Sequence, residues 1–284
     1  MVCPLFRNLI LTCLVVSLLP FSLNADQRFA EPYFAGPLID GHIHYSATDV
    51  QVYSPQDIIA RMDNNGIRYA IVTSTPASHA AELYKHAPNR IVPLLGIYRN
   101  QTDKTNWLND VSLPSYVEAE LKKGYWQGIG ELHIFAGDRN STVFKDIVNI
   151  ASKYQLVLLI HGDPAVIDTV YDIAPKQPVI WAHAGTYPYP DLIADYLKRY
   201  PFLYIDLSMR DERIAPDGQL ADSWYELFVA NPDRFMTGVD TYSLSRWHDY
   251  DAAVKIIRHW LVQLPDDISS RLAYGNAASL FNKK

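Results

Sequence analysis

Between residues 38 and 239, short apolar runs alternate with stretches of helical period, and this alternation leaves few architectures open. The apolar runs read as strands at 38–42, 69–73, 91–97, 128–132, 156–161, 179–182, 203–207 and 234–239. Most are continuous, as parallel strands buried on both faces require. Ser54-Pro55-Gln56-Asp57 opens a helix with an N-cap, a proline at the first position and an acid in the first turn. That helix stops at Asn64-Asn65-Gly66. Further helical stretches fall at 116–123, 141–154, 191–200, 222–230 and 249–264, with a helical pair or extension at 267–281. Eight strands alternating with helices predict an α/β fold, a (β/α)8 barrel of the TIM type, rather than an open sheet. No glycine-rich phosphate loop follows the first strand, which argues against dinucleotide binding. The longest connections, 99–114 and 208–220, follow strands three and seven and lie over the C-terminal face, as candidate lids.

The first 25 residues read differently. Arg7 gives a positive start, residues 9–19 are apolar apart from Thr12 and Ser17, and Pro20 and Ala25 follow. This pattern predicts a signal peptide cleaved after Ala25 and an exported protein, periplasmic or secreted. The apolar run is about half the ~20 residues that span a bilayer, so no stable anchor is expected after cleavage. Cys13 follows Ile10-Leu11-Thr12, a poor lipoprotein box. Both cysteines, Cys3 and Cys13, lie in this leader. The mature chain, 26–284, is then one cysteine-free domain whose stability must come from a large core. Its formal charge is -7, against -6 for the full 284 residues, and no Lys/Arg-rich run points to nucleic acid. The sequence leaves a homo-oligomer open.

The chemistry gathers where strands end. Ile39-Asp40-Gly41-His42-Ile43-His44 places two histidines at i and i+2, on one face of a strand, at about the spacing one metal ion needs. Strand four carries Glu131 and His133, strand five ends in His161, strand six in His183 and strand eight in Asp240. A single strand-end histidine is more often a satisfied core residue, but this set is hard to place there by chance. His79, His86, His248 and His259 fall on helices or helix starts and read as solvated or capping groups.

The ordered set of His-x-His, His, His and Asp on strands one, five, six and eight resembles the amidohydrolase superfamily of metal-dependent barrels. Ala273-Tyr274-Gly275-Asn276-Ala277-Ala278-Ser279-Leu280-Phe281 is similar to the closing segment of its amidohydrolase-related branch, which includes decarboxylases and dicarboxylate lactonases. The resemblance implies that His42, His44, His161 and Asp240 ligate a divalent ion, zinc first and manganese as an alternative. His183 becomes a second-metal ligand or a partner of the water that the ion activates. Glu131 either bridges two ions or orients a histidine; because the branch is mostly mononuclear, one ion is preferred over two. Asp240 serves as general base and then acid, with His183 supporting the oxyanion. Activated water would then attack an ester, lactone or amide of a small, anionic molecule.

His161-Gly162-Asp163 and Gly238-Val239-Asp240-Thr241-Tyr242 depart from the patterns usual in the decarboxylases. Decarboxylation of an aromatic or unsaturated acid is therefore the second reading, and a non-catalytic binding protein the third. Arg99, Arg210 and Arg246 follow strands three, seven and eight and are candidate carboxylate binders. For each of them, pairing with Asp103, Asp211 or Asp249 is an equal alternative.

Overall fold

The structure is a computed structural model that describes residues 33–283. The expected leader, with Cys3 and Cys13, lies outside the described residues. Eight parallel strands, β1 (Leu38–His44), β2 (Ile67–Thr73), β3 (Ile91–Leu95), β4 (Gly128–Ile134), β5 (Val157–Gly162), β6 (Val179–Trp181), β7 (Leu203–Asp206) and β8 (Phe235–Met236), pair in chain order. They form a nearly closed (β/α)8 barrel. Beyond β8 the chain still bonds to β1: Gly41 N–H donates to the Thr237 carbonyl at 2.8 Å and Asp240 N–H to the His42 carbonyl at 2.8 Å. A Cβ on Gly41 would lie 2.7 Å from that Thr237 oxygen, so the seam requires glycine there. The expected strand at 234–239 is shorter than its sequence suggested: it pairs with β7 through Ile205–Phe235 and Asp206–Met236, and the residues after Met236 bond to β1 without forming a regular strand.

Helices cover the outside, with α9 (Leu244–His248) and α11 (Asp266–Ser270) among the short ones. Ser54 caps α1 (Pro55–Asn64) in a capping box with Asp57. The helices α3 (Leu113–Leu121), α4 (Thr142–Lys153), α6 (Pro190–Arg199), α8 (Asp222–Ala230) and α10 (Tyr250–Leu261) lie close to their expected positions. Two helices that the periodicity did not mark are α2 (Ser78–His86) and α5 (Pro164–Ile173). The first has no side-chain cap, and the second is rich in β-branched residues of weak helical preference. The long connections after β3 and β7 hold short helical turns, among them α7 (Asp211–Ile214) in the second. Among the described residues no helix is long and apolar enough to cross a membrane.

The core has two layers. One packs the helices on the strands through residues such as Leu38, Ile43, Ile129, Leu132 and Phe144. The other fills the barrel with Ile39, Ile71, Leu94, Leu159, Ile180 and Met236. It is closed below by Ala277, Ala278 and Phe281, at and just after α12 (Asn276–Leu280). Leu38 and Ile43 both face the helices although they are five residues apart, and so do Ile129 and Leu132, three apart. An odd separation on one face requires a break in the pleat. Register shifts occur between Asp40 and Ile43 in β1 and between Ile129 and Leu132 in β4. His42 and Glu131 lie within these shifts and His44 and His133 just past them, and all four come to the inner face.

Candidate metal centre

At the C-terminal mouth of the barrel is a cavity of about 460 Å³. His44, Glu131, His161, His183 and Asp240 line it, each from a different strand or the residues just after one. His183 and Asp240 hold left-handed backbone conformations, with φ of 56° and 59°. Such positions store strain, and they cluster at functional sites.

The donor atoms converge in two overlapping sets. In the first, His42 Nε2 is 3.2 Å from His44 Nε2. His44 Nε2 is 3.3 Å from Glu131 Oε2 and 3.4 Å from Asp240 Oδ1. His42 Nε2 is 3.8 Å and 4.0 Å from the same two oxygens. Four donors about 2.1 Å from one tetrahedral ion stand roughly 3.4 Å apart, so these spacings suit an ion. Asp240 Oδ1 is buried with no hydrogen-bond partner, an orphaned acceptor turned toward the imidazoles. In the second set the other oxygen of Glu131, Oε1, is 3.0 Å from His161 Nδ1 and 3.2 Å from His183 Nε2. Asp240 Oδ2 lies 3.7 Å from His183 Nε2.

The electrostatics ask for a cation here. Glu131, Asp206 and Asp240 are all buried within this cluster. Burial alone would neutralise His42, but the charges of Asp240, Asp206 and Glu131 outweigh it and hold the imidazole well above the ordinary histidine range. Burial would likewise raise Glu131, yet His42 and the bonds from His161 and His183 hold it well below the carboxylate range. In the bare protein an imidazolium thus supplies the charge that a divalent ion would bring. The cluster is able to bind metal.

Sequence reasoning missed two residues behind this set. Asp206, at the end of β7, accepts the His42 Nδ1 proton at 2.8 Å, and Ser208 contacts His183 Nδ1 at 2.8 Å. The only signal was an acid and a hydroxyl breaking an otherwise apolar strand end, Ile205-Asp206-Leu207-Ser208. His133 stacks on His161, its register partner, at 4.6 Å, and burial pushes its pKa down to about 3, so it is neutral.

The three arginines part company. Arg210 lines the cavity while donating to the His183 and Gly185 carbonyls at 2.7 and 3.3 Å. Arg99 is not among the lining residues; it bonds Asp103 at 2.8 Å and Asp110 at 2.5 Å. Arg246 also lies off the cavity, holding the Val239 and Asp240 carbonyls at 2.6 and 3.3 Å. Lys104, not anticipated, adds an exposed cation to the lining, and Tyr98 and Tyr242 add aromatic walls.

Comparison with known proteins agrees with this fold. The amidohydrolase family model matches residues 115–283. No curated protein matches the chain in sequence. Among solved structures, an amidohydrolase from Burkholderia multivorans with bound zinc superposes with a TM-score of 0.56 at 16% identity, over 88% of this chain and 100% of that one. A probable 2-pyrone-4,6-dicarboxylic acid hydrolase from Acinetobacter baumannii with citric acid bound gives 0.60 at 15% identity, over 87% and 100%. A TatD homologue from Escherichia coli K12 gives 0.62 at 15% identity, over 86% and 98%. At these identities the structures speak for the fold.

Proposed function

Because this chain belongs to the amidohydrolase family and is a hydrolytic enzyme of that superfamily, we propose that it is a metal-dependent hydrolase of an ester, lactone or amide bond in a small anionic molecule. The observation that carries this reading is Glu131, whose two oxygens each face a separate set of histidine donors. That sharing favours two ions over the single ion preferred from the sequence. His42, His44 and Asp240 would hold one, and His161 and His183 the other, with Glu131 common to both. Zinc suits the donor set, with manganese next. When bound, a divalent ion supplies water acidified toward pKa ~7 and polarises the bond to be cleaved.

The protein's own groups do the rest. Asp240 takes the proton of the attacking water on its carboxylate and returns it to the leaving group. Anionic substituents at either end of the substrate sit toward Arg210 or toward Lys104, which enter the mouth from the segments after β7 and β3, on opposite sides of the ring. Arg99 and Arg246 serve their loops, through Asp103 and Asp110 and through the backbone after β8. The leader at 1–25 makes this an exported enzyme, periplasmic or secreted.

The test is a panel of anionic esters, lactones and amides turned over in ¹⁸O-water by protein loaded with zinc or manganese. One ¹⁸O atom in the product acid is expected. Release of carbon dioxide with no ¹⁸O in the organic product would replace hydrolysis by decarboxylation.

A further inference from the structure

Resting on the reading of His42 and His183 as ion ligands, we propose that Asp206 and Ser208 form one positioning device, which fixes the tautomers of both histidines and so ties the two donor sets together. Both residues are fully buried. Asp206 Oδ2 accepts from His42 Nδ1 at 2.8 Å, from the Ser208 hydroxyl at 2.6 Å and from the His183 backbone N–H at 3.2 Å. Its Oδ1 accepts from the Ser208 backbone N–H at 2.9 Å. A carboxyl group accepting at both oxygens has no proton to give, so the 2.6 Å contact holds the hydroxyl proton of Ser208.

That assignment settles the next bond. With its one hydrogen committed to Asp206, Ser208 Oγ can only accept, and the donor 2.8 Å away is His183 Nδ1. The Ser208 carbonyl, 3.3 Å from the same nitrogen, is also only an acceptor. His183 therefore carries a proton on Nδ1 and presents Nε2 to the cluster, as His42 does. The two rings lie nearly parallel, 4.8 Å apart with 15° between planes. A metal-bound histidine commonly gives its other N–H to a carboxylate or carbonyl. Here one carboxylate serves a ligand in each donor set, the first directly and the second through a neutral hydroxyl. The hydroxyl is the weaker link, so its loss should separate the two sets.

The test compares wild type, Ser208→Ala and Asp206→Asn as full-length, metal-stripped protein titrated with zinc, alongside ¹⁵N NMR of the histidine rings. Ser208→Ala should weaken one zinc-binding event 10- to 100-fold and leave the other within about threefold. Asp206→Asn should weaken both. In the metal-stripped Ser208→Ala protein the backbone carbonyl of residue 208 remains near His183 Nδ1, so the ring signals of His183 should shift and its tautomer balance move away from that of wild type, while the Nδ1–H signature of His42 persists. Wild-type zinc affinities together with an unchanged His183 tautomer would overturn the proposal. Should the alanine variant fail to fold, Ser208→Thr keeps the hydroxyl and should bind zinc as wild type does; selective weakening there would also overturn it. A tautomer change in a protein whose wild type takes up no zinc would sink the ligand reading and leave the positioning role standing.

Discussion

Asp240 is the residue on which binding and proton transfer meet. Its Oδ1 lacks a hydrogen-bond partner and lies 3.4 Å from His44 Nε2, while Oδ2 faces His183. Asp240→Asn keeps the shape and removes the proton acceptor. At saturating metal, kcat should fall by about 10²- to 10⁴-fold with KM changed far less. Steady-state kinetics check this, and near-normal turnover would remove Asp240 from its role. The histidines, Glu131 and Asp240 could be read from the sequence because a polar group that ends an apolar strand is conspicuous. Asp206 lies unmarked inside the expected strand 203–207, and Ser208 reads as the first residue of the connection 208–220. Their importance lies in which histidine nitrogens they touch, and that depends on β7 lying beside β6 and reaching β1 across the two-residue β8.

At the scale of elements, the strand order and most helices follow from apolar continuity and capping, and these are local properties. What the sequence hid was the register shifts in β1 and β4, since a break in the pleat leaves no composition signal. The closing segment gains a physical meaning instead. Buried Asn276 gives its amide protons to the Pro232 and Phe235 carbonyls at 2.8 Å each, pinning the barrel's floor to β8. A second tie joins α7 to α10, where Trp260 donates to Asp211 at 2.8 Å. Burial pushes the Asp211 carboxyl up to about 6, despite the bond from Trp260. A carboxyl raised in the folded state favours folding while protonated. Its contribution is therefore present below about pH 4 and is lost as pH rises through 6. Asp211→Asn keeps an acceptor for Trp260 without the charge. The stability of the variant minus that of wild type should grow by up to about 3 kcal/mol from pH 4 to 7. Denaturant melts at both pH values measure it; a difference that stays flat would mean that Asp211 titrates normally.

For the whole molecule, the barrel's two ends are built on opposite principles. The floor is apolar, closed by Ala277, Ala278 and Phe281, whereas the mouth buries Glu131, Asp206 and Asp240 among imidazoles. The described residues contain no cysteine, so no disulfide ties the mouth together, and a bound cation would add to the hydrogen bonds and the His42 charge that hold its carboxylates. An ion that binds only the folded state, present at a thousand times its Kd, adds about 4 kcal/mol. In a domain of this size that raises Tm by roughly 8–16 °C. Chelation should therefore lower Tm by about that much, and more strongly at alkaline pH. The pH dependence follows from His42, whose raised pKa stabilises the bare protein fully below about 6.5. That support fades as pH rises through the folded-state value and the imidazolium loses its proton. The ion competes with that same proton, so zinc affinity should climb over the same range. Thermal melts with and without chelator at pH 6 and pH 9 read both effects. Melting temperatures that fall from pH 6 to pH 9 but that chelator leaves unchanged at both would mean that the cluster holds no ion and that its carboxylates are balanced by His42 alone.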